Sequence, residues 1–208
     1  MIKTVPVPQQ PDAQERLMVA ALDQFTRFGY AATSTREICA AAGVTKPVLY
    51  YYFKSKEGLY RALIEEAFVH FEAILLECSR LEGNVSECLI ELCDRVFLSF
   101  MEKLNAVRLM YSIYYGPHQG APFFDFEVYH LKLRELVRNL VKKGISSGEM
   151  RAESEEDEAW VVIGILNIAF EEQLCRREAL IGRADLTRLV KLALRGFDAR
   201  IPSTGVAK

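Results

Sequence analysis

The most constraining feature of this chain is a pair of helix starts set close together across one glycine. Ser34 and Glu37 form an S-x-x-E pattern, in which the hydroxyl caps a backbone N–H and the glutamate reaches back to the cap. Ile38 with Ala41 or Ala42 gives this segment a narrow apolar face, and Gly43 stops it after about two turns. Thr45 stands at the next N-cap. Pro47 follows in the first helical turn, where a missing N–H costs little. That helix runs to about Phe53. Two short helices joined by a tight glycine turn form a helix-turn-helix.

The flanking sequence continues in helical periods. Asp12 and Glu15 make another capping box, Leu17, Ala21, Phe25 and Phe28 lie on one stripe, and Gly29 ends it. Ser55 caps a long helix over 56–81. Further helices are expected at 85–104, 105–115, 122–146, 155–178 and 185–199. Gly83-Asn84, Gly116-Pro117, Gly120 with Pro122, Gly148 and Gly182 separate them, and Asp185 is the expected cap of the last. No strand-length segment alternates with period two. The expected fold is all-α with about nine helices. A three-helix head spans 12–58, a helical body spans 59–200, residues 1–11 form an arm and 201–208 a tail.

Charge separates head from body. Residues 1–60 carry seven Lys/Arg and five Asp/Glu, whereas the chain as a whole has a net charge of -2. A basic head on an acidic body suits contact with a polyanion through the head alone. The five cysteines are an odd number, include no C-x-x-C and follow no secretory signal, which points to a reducing cytoplasm. No apolar run reaches a membrane-spanning length. His70, His118 and His130 form no zinc-ligand pattern, Cys88 and Cys93 fall on different sides of a helix, and no catalytic or cofactor motif occurs. Neither metal nor cofactor is therefore expected, and an enzyme is disfavoured.

Residues 29–59, GYAATSTREICAAAGVTKPVLYYYFKSKEGL, carry a more specific signal. Gly29, the Thr33/Ser34/Thr35 cluster, Ile38, Ala42-Gly43-Val44, Thr45, Leu49-Tyr50, Tyr52-Phe53, Lys56-Glu57 and Leu59 stand in one register. This stretch closely resembles the DNA-binding head of the tetracycline-repressor (TetR) family. Cys39, where a small Ala is usual, and Pro47 are the departures. The resemblance implies a regulator whose second short helix enters the major groove of operator DNA. The N-terminal residues of such a helix meet base edges. Here those are Thr45, Lys46, Pro47 and Val48. Lys46 can donate to guanine, while Pro47 and Val48 can only make apolar contact. Tyr50 and Tyr51 can reach phosphate. Thr33, Thr35 and Arg36 stand where a helix start attracts phosphate, and Lys56 stands at the equivalent place on the long helix. Thr33, Ser34 and Thr45 can equally be plain caps, and Leu49, Tyr52 and Phe53 are expected to pack.

In the body, seven aromatics crowd residues 111–129. Ligand pockets are mostly apolar with a few placed polar groups. Phe97, Met101, Met110, Tyr111 and Tyr114 are candidate lining residues for a small-molecule effector, with His118, Phe124, Tyr129 and His130. The alternative is that this tract packs helix ends together. Residues 160–170, WVVIGILNIAF, are apolar around nearly the whole helix, which implies burial on two sides. Trp160, Ile163, Asn167 and Phe170, with Leu189, Ala193 and Phe197 on the last helix, are the expected homodimer interface. The resemblance implies a four-helix interface there and a repressor released from a palindromic operator by its effector. A body that binds a protein instead of a small molecule is the other reading.

Overall fold

The computed structural model describes residues 12–116, 120–150 and 154–197, and every element in it is a helix. The order is α1 (Ala13–Phe28), α2 (Thr35–Ala42), α3 (Lys46–Phe53), α4 (Lys56–Cys78), α5 (Val85–Glu102), α6 (Leu104–Tyr114), α7 (Glu127–Ser147), α8 (Glu155–Cys175) and α9 (Arg183–Phe197). The expected all-α architecture is therefore correct. The expected arm, tail and His118 lie outside the described residues, as does the side chain of Phe197. No helix among the described residues is long and apolar enough to cross a membrane.

Local chemistry explains the helix boundaries. Asp12 and Glu15 close a full capping box on α1, with Oδ1 of Asp12 accepting from the Glu15 N–H at 2.8 Å. Ser34 and Glu37 do the same for α2. Gly43 ends α2 at φ 63°, in the left-handed region that a glycine enters without steric cost. Thr45 holds the N-cap position of α3, but its hydroxyl makes no capping bond. Ser55 caps α4 by accepting from the Gly58 N–H at 2.9 Å. Gly58 must be glycine for a further reason: a Cβ there would run into the Phe53 carbonyl oxygen.

Two helix starts differ from the sequence reading by more than a single residue, and α4 and α8 end earlier than expected, at Cys78 and Cys175. Residues 121–126 are not helical, and α7 begins at Glu127. Pro122 biases its predecessor away from helix, and the rings of Phe124 and Phe126 pack on Phe68 instead of forming a helical stripe. The last helix begins at Arg183, so Asp185 lies in its first turn, and its carboxylate reaches back to accept from the Gly182 N–H at 3.1 Å.

The chain divides into two compact units, and the division falls inside α4, between Ala67 and Phe68. The first unit holds α1–α3, the first half of α4, and 105–123. Its core is Leu17, Ala21, Phe25, Ile38, Leu49, Leu59 and Tyr60. Tyr60 anchors α4 through edge-on contacts with Phe25 and Tyr30, at centroid distances of 6.1 and 5.2 Å. Arg16 of α1 donates to the Ala42 carbonyl at the end of α2 at 3.1 Å. Burial pushes the Tyr60 hydroxyl up to about 12.

The second unit packs α5 against α7, α8 and α9, and α8 against α7 and α9. Leu89, Leu92, Val137, Val141, Ile163, Leu166, Leu186 and Val190 form its core. Glu149, just past α7, accepts from the Val85 N–H at 2.8 Å and so satisfies a start-of-helix donor of α5 across 64 residues of sequence. Cys78 and Cys93 are buried thiols, raised by burial to about 11 and 12 respectively.

Candidate nucleic-acid interface

The helix-turn-helix is built in the first unit by mutual packing of α1, α2 and α3. Leu49 and Phe53 are buried on one side of α3. Since α3 is only eight residues long, fixing that side leaves its other face outward. At the start of the helix Thr45, Lys46 and Pro47 are exposed, and Val48 is half-buried. Tyr50 and Tyr51 are 46% and 73% exposed, as expected. Tyr52 departs from expectation: it is an exposed ring set edge-on to Tyr51 at 5.1 Å. On a helix this short, three consecutive tyrosines cannot all face the core.

Lys46 and Arg36 make no hydrogen bond or ion pair with another described residue. Both are exposed, Lys46 at the start of α3 and Arg36 at the start of α2. Thr35 is half-buried beside Arg36. These groups offer two cations without a hydrogen-bond or ion-pair partner among the described residues, two helix starts and two tyrosine hydroxyls. Such groups can donate to phosphate oxygens and to base edges.

Two expected phosphate contacts are placed differently. Thr33 is only 2% exposed. Its hydroxyl donates to the Gly29 carbonyl at 2.9 Å and to the Gln24 carbonyl at 3.2 Å, so it locks the α1–α2 turn inward and cannot meet a phosphate. Lys56 is half-buried. Its ammonium donates to the carbonyls of Tyr30 and Thr33, each at 2.9 Å, and lies 4.2 Å from the Tyr30 ring centre.

The expected effector residues are divided between the two units. In the first unit, Met110 and Tyr111 are half-buried on α6 and Tyr114 is exposed, with Tyr115 beside both tyrosine rings. In the second unit, Phe97 is core, stacked on Phe170 at 6.3 Å. Met101 is exposed. Phe124 and Tyr129 do come together, but over Phe68, with Tyr129 stacked on it at 3.5 Å and Phe124 at 5.5 Å. For these two rings, packing is what the structure shows. His130 sits 6.0 Å from the Trp160 ring. A surface cleft of about 380 Å3 lies elsewhere in the second unit, between Asn84, Ser86, Gly148, Lys191 and Arg195, and none of the expected residues lines it.

The expected dimer stripe is corrected on α8. Ile163 and Phe170 are buried in their own chain, with Phe170 stacked on Phe100 at 4.0 Å. The outward stripe is instead Val161, Gly164 and Ile168, with Trp160 beside it. Asn167 is half-buried. On α9, Leu189 and Ala193 are half-buried and Leu192 is 63% exposed. Because residues 160–170 of α8 are apolar around nearly the whole helix, the sequence pattern alone cannot separate the two faces.

A three-helix head with a presented second helix, joined to a helical body, is the architecture of helix-turn-helix regulators. Residues 17–63 match the family model described as "Bacterial regulatory proteins, tetR family", so the head of this chain is similar to the DNA-binding segment of that family. Among its relatives, the HTH-type transcriptional regulator RutR of Escherichia coli is 43% identical over 53 residues, 26% of this chain. The match covers 25% of RutR, so the likeness reaches about a quarter of that relative's length. The HTH-type transcriptional repressor KstR2 of Mycolicibacterium smegmatis is 24% identical over 159 residues, covering 72% of this chain and 74% of KstR2. The crystal structure of the TetR family regulator PfmR from Thermus thermophilus has the same fold, with a TM-score of 0.68 at 20% identity, covering 91% of this chain and 99% of that one.

Proposed function

We propose that this chain is a sequence-specific DNA-binding transcription regulator acting as a homodimer, a repressor that a small effector releases from a palindromic operator. The observation that carries the reading is the exposed start of α3. Thr45, Lys46 and Pro47 are exposed at its start, and Lys46 has no partner among the described residues. A lysine left unpaired at the leading end of a presented helix is poised for guanine O6 or N7. Arg36 and the start of α2 supply phosphate contacts, with Tyr50 and Tyr51 flanking. Thr35 and Val48 complete the contact surface.

Homodimerisation is supported by the apolar stripe of Val161, Gly164 and Ile168 on α8 and by Leu192 on α9. Isologous pairing of that surface covers it and gives the two-fold symmetry that an inverted repeat requires. Release follows if the effector favours one of two positions of α4, a single helix with residues in both units. Such coupling is reciprocal, so operator DNA must lower effector affinity by the same factor. The repressor sense is supported by the name of KstR2, whose likeness extends over 159 residues.

The test is selection of duplexes by the wild-type protein from a random-sequence pool. Recovery of an inverted repeat is expected. Retention without sequence enrichment contradicts specific readout, and no retention contradicts DNA binding. A compound screen then tests the effector: a true effector raises the melting temperature in a dose-dependent way and weakens retention of the selected duplex.

A further inference from the structure

We infer that Lys56 is a positioning residue for DNA binding: it holds the turn that aims the start of α2, and does not itself neutralise a phosphate. This rests on the DNA-binding reading above. An ammonium has three donors. Two of them are used, at 2.9 Å each, on the carbonyls of Tyr30 and Thr33. The Tyr30 ring lies 4.2 Å from the same ammonium, a cation–π contact that adds to its immobility.

The two carbonyls belong to the turn joining α1 to α2, and Lys56 is the first residue of α4. The buried Thr33 hydroxyl also ties the turn to the carbonyl of Gln24 in α1 and to that of Gly29, the residue that ends α1. The segment is therefore clasped by one cation and one hydroxyl. Ser34, which follows directly, caps α2, and Thr35 and Arg36 come next. Where α2 begins, and so where Arg36 stands, depends on a turn that Lys56 fixes by charge. The bond also makes the start of α4 and the start of α2 move together.

The salt dependence of binding distinguishes positioning from contact. A cation that neutralises a phosphate releases a counterion, and its removal lowers the log–log salt slope by about 0.9. The experiment compares Lys56→Met, Lys56→Arg and Arg36→Ala on the duplex selected by the wild-type protein, across a salt series. Lys56→Met is expected to weaken binding about tenfold, the loss of a charge-assisted bond, with the slope unchanged. Lys56→Arg should restore most of the affinity, and Arg36→Ala should lower the slope. A slope lowered in Lys56→Met, or an affinity equal to wild type, overturns the inference.

Amide hydrogen exchange on the free protein tests the same idea without DNA. Faster exchange confined to the amides of Thr33, Glu37 and Ile38 is expected in Lys56→Met, with wild-type rates in Lys56→Arg. Unchanged exchange at those amides, or a uniform rise over the whole chain, overturns it. Should the wild-type protein select no duplex, the DNA-binding reading fails, while the exchange result still decides whether Lys56 holds the turn.

Discussion

Phe170 of α8 lies flat on Phe100 of α5, with ring centroids 4.0 Å apart and planes within 1° of parallel. This pair assigns the faces of α8. Phe170 belongs to the core of its own chain, so the surface that a second copy can cover lies on the other side, at Val161, Gly164 and Ile168. Phe170→Ala should therefore lower folding stability by about 3–5 kcal/mol, the usual range for a core phenylalanine. Chemical denaturation measures this. A loss under about 1 kcal/mol would mean that Phe170 is not core.

Ile168→Glu and Leu192→Glu act on the opposite face. Ile168 is 52% exposed in the single chain, so a glutamate there costs the isolated fold little. In a dimer through this face it becomes a buried unpaired charge costing several kcal/mol. Sedimentation should show a wild-type dimer and variant monomers, both with near-native circular dichroism. Variants that remain dimeric would place the interface elsewhere.

Thiol chemistry gives an independent check of the packing. Of the five cysteines, Cys175 is exposed and Cys39, Cys78, Cys88 and Cys93 are buried. Burial raises the Cys78 and Cys93 thiols to about 11 and 12, so almost no thiolate exists there at pH 8. Cys175 should react first with an alkylating reagent, and the buried thiols only after denaturation. Rapid labelling of Cys93 in the native protein would contradict its placement.

The α2 cap predicts a local pH effect. Ser34 holds the Glu37 carboxyl below its ordinary value, through the side-chain hydrogen bond first and the backbone bond second. A carboxyl lowered in the folded state adds stability that is present above its unfolded pKa and lost as pH falls through the folded value. Ser34→Ala should cost about 1 kcal/mol at neutral pH. The gap from wild type should narrow as acid protonates Glu37. A gap that stays constant down to pH 3 would mean the carboxylate takes no part.

The head was legible because its signals are local. Capping boxes at Asp12 and Ser34, the left-handed Gly43 and the proline at the start of α3 each act within a few residues of themselves. The inward turn of Thr33 was not legible, because a threonine before a helix can face either way until α1 supplies Gln24 and Gly29 as acceptors. The same holds for Lys56, whose partners lie 26 and 23 residues away. In the body, a stretch apolar around nearly the whole helix gives no preferred side, so its pattern does not separate Ile163, which is core, from Ile168, which is surface. The aromatic tract was readable as a cluster. That Phe124 and Tyr129 would close over Phe68 required the non-helical path of 121–126.

The central claim is that the start of α3 reads bases, and Lys46→Ala tests it most directly. Binding of wild type and variant is measured on the selected operator and on every single-base-pair variant of one half-site. If Lys46 donates to a guanine, the variant loses about 1–3 kcal/mol on the operator and no longer discriminates at one base pair per half-site, while discrimination at the other positions is kept. A loss equal across all duplexes, with a salt slope lowered by about 0.9, would show that Lys46 touches only phosphate and would contradict base readout by this residue.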